Sequence, residues 1–262
     1  MKRHLAILAV LALGVSALSA CHGTDPVEVD PVDLLELLHP NGQDIRGLSI
    51  ESKAMKRTMK YNVWLPPKFD ENKAYPILYL LHGAGDDQNA WLDKGDAMNI
   101  ASRYVKTGGV PMIIVMPDAQ LTFYMGDFET YFFDELLPDV ETRYKFSGKR
   151  AVSGLSMGGY GTLYYALKYP GRFTYGYAMS PATADWFTSL IDAQSDTRVF
   201  PPVTIEVGTE DTTVNNADSE KLANYMKAKG LTCEWIARAG IHYWNFWQEC
   251  LPKALKKAGE SF

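Results

Sequence analysis

Two patterns of apolar and polar positions alternate along most of the chain. Leu48-Ser49-Ile50-Glu51-Ser52 and residues 58–65 alternate apolar with polar, which predicts two half-buried strands at a sheet edge, the second ended by Pro66-Pro67. Beyond them the apolar positions run together, at 77–81, 112–116, 150–152, 173–179, 203–207 and 233–236. Such runs have no polar face to turn to water, so they predict strands covered on both sides. Apolar positions recur at helical spacing between the runs, near 97–104, 129–144, 160–169, 217–229 and 243–258. Strands interleaved with helices predict an α/β fold, a mostly parallel central sheet with helices on both faces. No internal repeat or low-complexity tract interrupts it.

The start of the chain follows a different pattern. Lys2 and Arg3 precede an apolar stretch, 5–15, and Leu18-Ser19-Ala20 brings small residues up to Cys21. This predicts a signal peptide over 1–20, and a cysteine directly after it is the bacterial lipoprotein arrangement. The stretch is shorter than the roughly 20 residues of a spanning helix. The expectation is therefore a lipid anchor on Cys21, periplasmic or at the cell surface, each buried CH₂ contributing about 0.8 kcal/mol. Residues 21–46 are acidic and punctuated by proline, with one short helical pattern at 32–38. They predict a tether with a docking helix, and 47–262 a single domain of ordinary size.

Charge and cysteine content narrow the partners. The chain has 26 Lys and Arg against 31 Asp and Glu, and loss of the leader would remove two basic residues and no acid. With no Lys/Arg block there is no electrostatic footprint for nucleic acid. Besides Cys21 the cysteines are Cys233 and Cys250. They are expected to be buried thiols, though an oxidising compartment permits a disulfide. No Cys/His spacing suggests zinc, so neither a metal nor a cofactor is expected.

The most specific chemical signal is Gly154-Leu155-Ser156-Met157-Gly158-Gly159, between an apolar run and a helical pattern. That context predicts a nucleophile elbow, with Ser156 on a strained strand-to-helix turn. Gly154 and Gly158 lack Cβ atoms and let the chain pass close on either side. A serine hydroxyl needs a base. Of the five histidines, His4 is in the leader, His22 abuts Cys21, His39 is in the tether and His82 precedes the serine on another turn. His242, in Gly240-Ile241-His242-Tyr243-Trp244, is left, and nucleophile–acid–histidine is the α/β-hydrolase order. The acid is expected in Gly208-Thr209-Glu210-Asp211, with Asp211 favoured and Glu210 its neighbour and competitor. An oxyanion would meet the N–H of Met157 and a second N–H from Leu81-His82-Gly83-Ala84-Gly85, that of Ala84 ahead of Gly83. His82 reads as a residue that pins this turn.

With these residues placed, the chain resembles the esterase D-type serine esterases. That group includes the feruloyl and acetylxylan esterases of carbohydrate esterase family 1, the formylglutathione hydrolases and the mycobacterial mycolyltransferases. The likeness runs from about Ile50 to Leu255 and rests on the motifs around His82, Ser156, Asp211 and His242, with Trp91, Val115-Met116-Pro117-Asp118, Glu135, Pro138 and Glu141. It implies an α/β-hydrolase with Ser156 as nucleophile, Asp211 as orienting acid, His242 as base and Ala84 as the second oxyanion donor. Tyr243 stands where such enzymes often carry a polar residue.

The acyl and alcohol groups are less legible. Residues 181–201 hold no long amphipathic helix, so an open cleft with a minimal lid is expected. Trp91, Tyr124, Tyr243 and Trp244 are candidates to stack on a sugar or a phenolic acyl group, while Trp64, Trp235 and Trp247 read as core. An open cleft on an anchored, exported enzyme suits feruloyl or acetyl esters of plant polysaccharide or its oligosaccharides. An acyltransferase or a siderophore esterase on the same fold, or a non-catalytic glycan-binding lipoprotein, are the alternatives.

Overall fold

The computed structural model describes residues 37–262. Their strands are β1 (Gln43–Ser52), β2 (Arg57–Leu65), β3 (Tyr75–Leu81), β4 (Ile113–Pro117), β5 (Phe146–Leu155), β6 (Tyr175–Met179), β7 (Val203–Gly208) and β8 (Cys233–Arg238). The helices are α1 (Ala90–Asp93), α2 (Ala97–Lys106), α3 (Asp127–Thr130), α4 (Leu137–Arg143), α5 (Met157–Lys168), α6 (Phe187–Asp192), α7 (Asn216–Ala228) and α8 (Trp244–Ser261). One sheet holds the strands in the order β1-β2-β4-β3-β5-β6-β7-β8. β1 and β2 pair antiparallel, as do β2 and β4. From β4 through β8 every pairing is parallel. This is the α/β-hydrolase architecture.

Side-chain alternation builds two cores from one sheet. Ile77, Tyr79 and Leu81 of β3 join Ile113 and Val115 of β4 on the face covered by α3 to α7. Leu78 and Leu80, with Ile114 and Met116, turn to the face covered by α1, α2 and α8. Every residue of β3 is buried, as a strand sandwiched between helices requires. Trp64 and Trp247 are buried as expected, but Trp235 is only partly so, because β8 is an edge strand.

Two elements differ from the expected ones for local reasons. β1 starts at Gln43, ahead of the expected Leu48, and its register shifts between Ile45 and Leu48. Gly47, at φ +70°, sits in this bulge and donates its N–H to Asn62 Oδ1 at 2.8 Å. A bulge breaks the alternation from which a strand is read. The expected helix 129–144 is continuous but passes through a π-helical segment, Tyr131–Leu136, before α4. Pro138 opens α4; it lacks an N–H and crowds the carbonyl a turn earlier, and a wider turn relieves both. The pattern at 32–38 lies outside the described residues but for Leu37 and Leu38, both exposed.

The connections reverse between β3 and β5. From β3 the chain crosses by α1 and α2 to β4 on one side, and β5 then pairs with β3 on its other side. The segments leaving β3 and β5 thus depart to opposite faces. Open α/β sheets bind ligands outside the carboxyl ends of strands at such a reversal.

Candidate active site

Ser156 lies at that reversal, between the last residue of β5 and the first of α5. Its backbone is at φ 52°, ψ −115°, a conformation that costs on the order of 1–3 kcal/mol and persists only where its surroundings impose it. The surroundings are specific. Ser156 N–H donates to Met179 O at 2.9 Å, and Ser156 O accepts from Tyr160 N at 2.9 Å and Ala182 N at 3.3 Å. A Cβ on Gly154 would lie 2.5 Å from Gly158 O, and one on Gly158 2.4 Å from Leu81 O and 2.6 Å from His82 O. The glycines are therefore what allows β5, α5 and the β3 loop to meet. As the first residue of α5, Met157 has an N–H without an intrahelical acceptor.

The loop after β3 is held by three buried side chains. His82 is 1% exposed; its Nδ1 lies 2.7 Å from Gly83 O, and its Nε2 accepts from Ala119 N at 2.9 Å. A carbonyl can only accept and an amide can only donate, so Nδ1 carries the proton and the ring is a neutral, fixed tautomer. Burial pushes its pKa below the ordinary histidine value. Trp91 donates its indole N–H to Leu81 O at 3.0 Å, and Tyr124 its hydroxyl to His82 O at 2.8 Å. Gly83 passes close to Leu155 and Ser156, and Ala84 beyond it is exposed at the Ser156 end of the sheet.

These bonds correct two sequence expectations. Trp91 and Tyr124 are 1% and 0% exposed, so neither can stack on a substrate. Both instead clamp the turn that carries Gly83 and Ala84. Of the other two aromatic candidates, Tyr243 is 61% exposed, and Trp244 is partly buried, edge-on to Trp91 and Trp247.

The loops after β7 and β8 bring an acid to a histidine. Asp211 Oδ2 lies 2.6 Å from His242 Nδ1. Asp211 Oδ1 accepts from Thr213 N at 2.9 Å and Val214 N at 3.2 Å, which fixes the carboxylate. The acid side chain is fully buried and the imidazole 12% exposed. The His242 ring stands edge-on to Trp247 at 5.0 Å. Glu210, the competing acid, bonds elsewhere: its Oε2 accepts from Gly240 N at 2.6 Å, and its N–H donates to Gly240 O at 3.0 Å. It pins the His242 loop.

A buried charge cluster fixes the same loop from below, and no sequence pattern pointed to it. Glu206 of β7 has a side chain with no exposure and accepts from Arg238 Nε and Lys253 Nζ, each at 2.5 Å, and from Tyr177. Burial pushes the carboxyl pKa up, but bonds from Lys253, Tyr177 and Arg238 outweigh it and hold the group below its ordinary value. Arg238 also donates to Phe246 O at 3.0 Å and Glu249 at 2.7 Å, tying the end of β8 to α8 on either side of His242.

Cys233 and Cys250 are buried free thiols. Cys21 lies outside the described residues. Among the described residues, no group of three or more His, Cys, Asp or Glu is placed to hold a metal ion. The segment 181–201 carries only α6 and the 3₁₀ turn Thr197–Val199.

Comparison with known proteins gives the family. Residues 52–258 match the esterase family described as "Putative esterase". An esterase of Mycobacterium tuberculosis is 38% identical over 126 residues, 43% of this chain and 26% of that protein. An endo-1,4-β-xylanase/feruloyl esterase of Xylanibacter ruminicola is 26% identical over 232 residues, 81% of this chain and 31% of that protein. The chain thus spans only a quarter to a third of the length of these curated relatives. Among solved structures, a ferulic acid esterase matches with a TM-score of 0.76 at 26% identity, over 84% of this chain and 99% of that one. The chain belongs to the esterase family and has the α/β-hydrolase fold.

Proposed function

We propose that this chain is a serine esterase in which Ser156, His242 and Asp211 act as one unit, and that it deacylates feruloyl or acetyl esters of plant polysaccharide. The observation that carries the reading is the 2.6 Å contact between Asp211 and His242 Nδ1, on the sheet edge that also bears the strained Ser156. With Nδ1–H held by the carboxylate, Nε2 is free to accept a proton. The Ser156 hydroxyl gives its proton to Nε2 while its oxygen bonds to the ester carbonyl carbon. The carbonyl oxygen becomes an anion facing the N–H groups of Met157 and Ala84. The intermediate collapses, His242 returns the proton to the departing alkoxide, and an acyl-serine remains. Water, deprotonated by the same imidazole, then releases the acid and restores the hydroxyl.

The polysaccharide substrate is supported by the relatives named feruloyl esterase and ferulic acid esterase, and by the segment 181–201, whose helices are too short to form a large lid. The leader pattern before Cys21 supports export and a lipid anchor. The test is release of ferulate and acetate from feruloylated and acetylated arabinoxylan oligosaccharides by the wild type and by Ser156→Ala. Release by the wild type alone is expected. Activity restricted to short synthetic esters would overturn the substrate, and fluorophosphonate labelling that survives in Ser156→Ala would overturn the nucleophile.

A further inference from the structure

The loop after β4, residues 118–126, carries an unusual backbone. Gln120, Phe123 and Tyr124 have φ of 51°, 53° and 62°, in the left-handed region that bulky side chains avoid. Strain at three side-chain-bearing positions of one loop persists only where the surroundings over-determine it. Its effect is to send two adjacent rings in opposite directions. Tyr124 turns inward, to His82 O and against Gly161 of α5. Phe123 turns outward, 42% exposed, beside Leu121 at 67%.

Phe123 is tied to the reaction centre by two routes. Its ring stands edge-on to Tyr160, with centroids 5.4 Å apart and planes at 85°. Tyr160 lies in the first turn of α5, directly after Ser156, and its N–H bonds to Ser156 O. The second route runs through Tyr124 and His82 to Gly83, which packs against Ser156. The wall continues past Tyr160 to Phe187 at 4.8 Å, and from there to the half-exposed Trp186 at 4.9 Å.

The chemistry says which half of the ester meets this wall. The alcohol leaves with a proton from His242, so it lies toward His242 and the acyl group lies across Ser156 from it. In the sheet, β3 and β4 lie on one side of β5, and β7 and β8 on the other. The Phe123 loop follows β4, whereas His242 follows β8 with Ile241 and Tyr243 exposed around it. We propose that Phe123, backed by Tyr160, seats the acyl group and selects an aromatic acyl over acetyl, while the Tyr243 side receives the alcohol. A phenolic ring offers a face and an edge to this pair; an acetyl methyl offers neither. The proposal rests on the serine-esterase reading and deepens it.

4-Nitrophenyl ferulate and 4-nitrophenyl acetate share a leaving group and differ only in the acyl part. Phe123→Ala is expected to lower the ferulate-to-acetate ratio of kcat/KM by about tenfold or more, and Phe123→Tyr to restore it. Phe123→Asn, which deletes the ring but tolerates the left-handed backbone, gives the same fall if Phe123→Ala does not fold. Tyr243→Ala is expected to move the ratio by less than about twofold, since both substrates present the same alcohol. A ratio unchanged in both ring-deleting variants, or shifted as far by Tyr243→Ala, overturns the proposal while leaving the serine mechanism intact. A wild type that turns over neither ester and escapes fluorophosphonate overturns both.

Discussion

Tyr124 donates its hydroxyl to the carbonyl oxygen of His82 at 2.8 Å, so a side chain from the loop after β4 fixes the turn after β3. Removing that hydroxyl tests how much of the oxyanion geometry is held from outside. In Tyr124→Phe the His82 carbonyl stays buried without this donor, a loss of about 1–3 kcal/mol in unfolding free energy. Because the turn carries the N–H proposed to meet the developing anion, kcat is expected to fall several-fold with KM little changed. Denaturant titration and steady-state kinetics on one preparation check both halves.

The two neighbouring acids separate cleanly. Asp211→Asn leaves an amide beside His242 Nδ1 and disturbs the tautomer, so kcat is expected to fall by about three to four orders of magnitude, as when the acid of such a triad becomes an amide elsewhere. Glu210→Gln keeps an oxygen for Gly240 N–H, and a fall of less than about tenfold is expected, as for loss of charge from one hydrogen bond. The reverse ranking would reassign the acid.

His82 gives the fold an acid-sensitive component. Its folded pKa is lowered by burial, while in the unfolded chain it titrates near the ordinary value, about 6.5. The unfolded state therefore takes up a proton that the folded state refuses. This contribution to stability is complete above about pH 6.5, declines as pH falls toward the depressed folded value, and is flat below it. In His82→Gln that part of the slope should disappear. Unfolding free energies of both proteins between pH 8 and 5 decide it.

Glycines at the elbow and in the adjacent loop predict unequal outcomes. A Cβ at Gly158 meets two carbonyl oxygens inside 3 Å, whereas one at Gly85 meets nothing within 4 Å. Gly158→Ala should therefore cost at least the 1–3 kcal/mol typical of overpacking and abolish turnover by displacing Ser156. Gly85→Ala carries only the left-handed penalty of about 1–2 kcal/mol. Thermal melts of the two variants should differ in that order.

What could be read from residues alone follows from steric and periodic rules. Buried parallel strands show as continuous apolar runs, and the Gly154–Gly158 pair shows because no other residue fits between β5, α5 and Leu81. The burial of Trp91 and Tyr124 does not show in the sequence, for an equally physical reason. An aromatic in the connection between two strands looks the same in sequence whether it faces in or out. At 120–124 the direction is set by left-handed backbone at residues whose identity does not announce it. The Glu206–Arg238–Lys253 cluster was illegible too, since its members lie far apart along the chain and meet only once β7, β8 and α8 are packed.

That cluster has a bearing on how the protein fails. Arg238 grips Glu206 on one side and the first turn of α8 on the other, with His242 in the short span between. The imidazole is therefore mounted on the last helix as much as on the sheet. Any partial opening that lifts α8 away carries the ring off Asp211 as well. Amide exchange in α8 and heat inactivation should share one activation barrier, and strengthening that helix would prolong the enzyme's working life without touching a group that meets substrate.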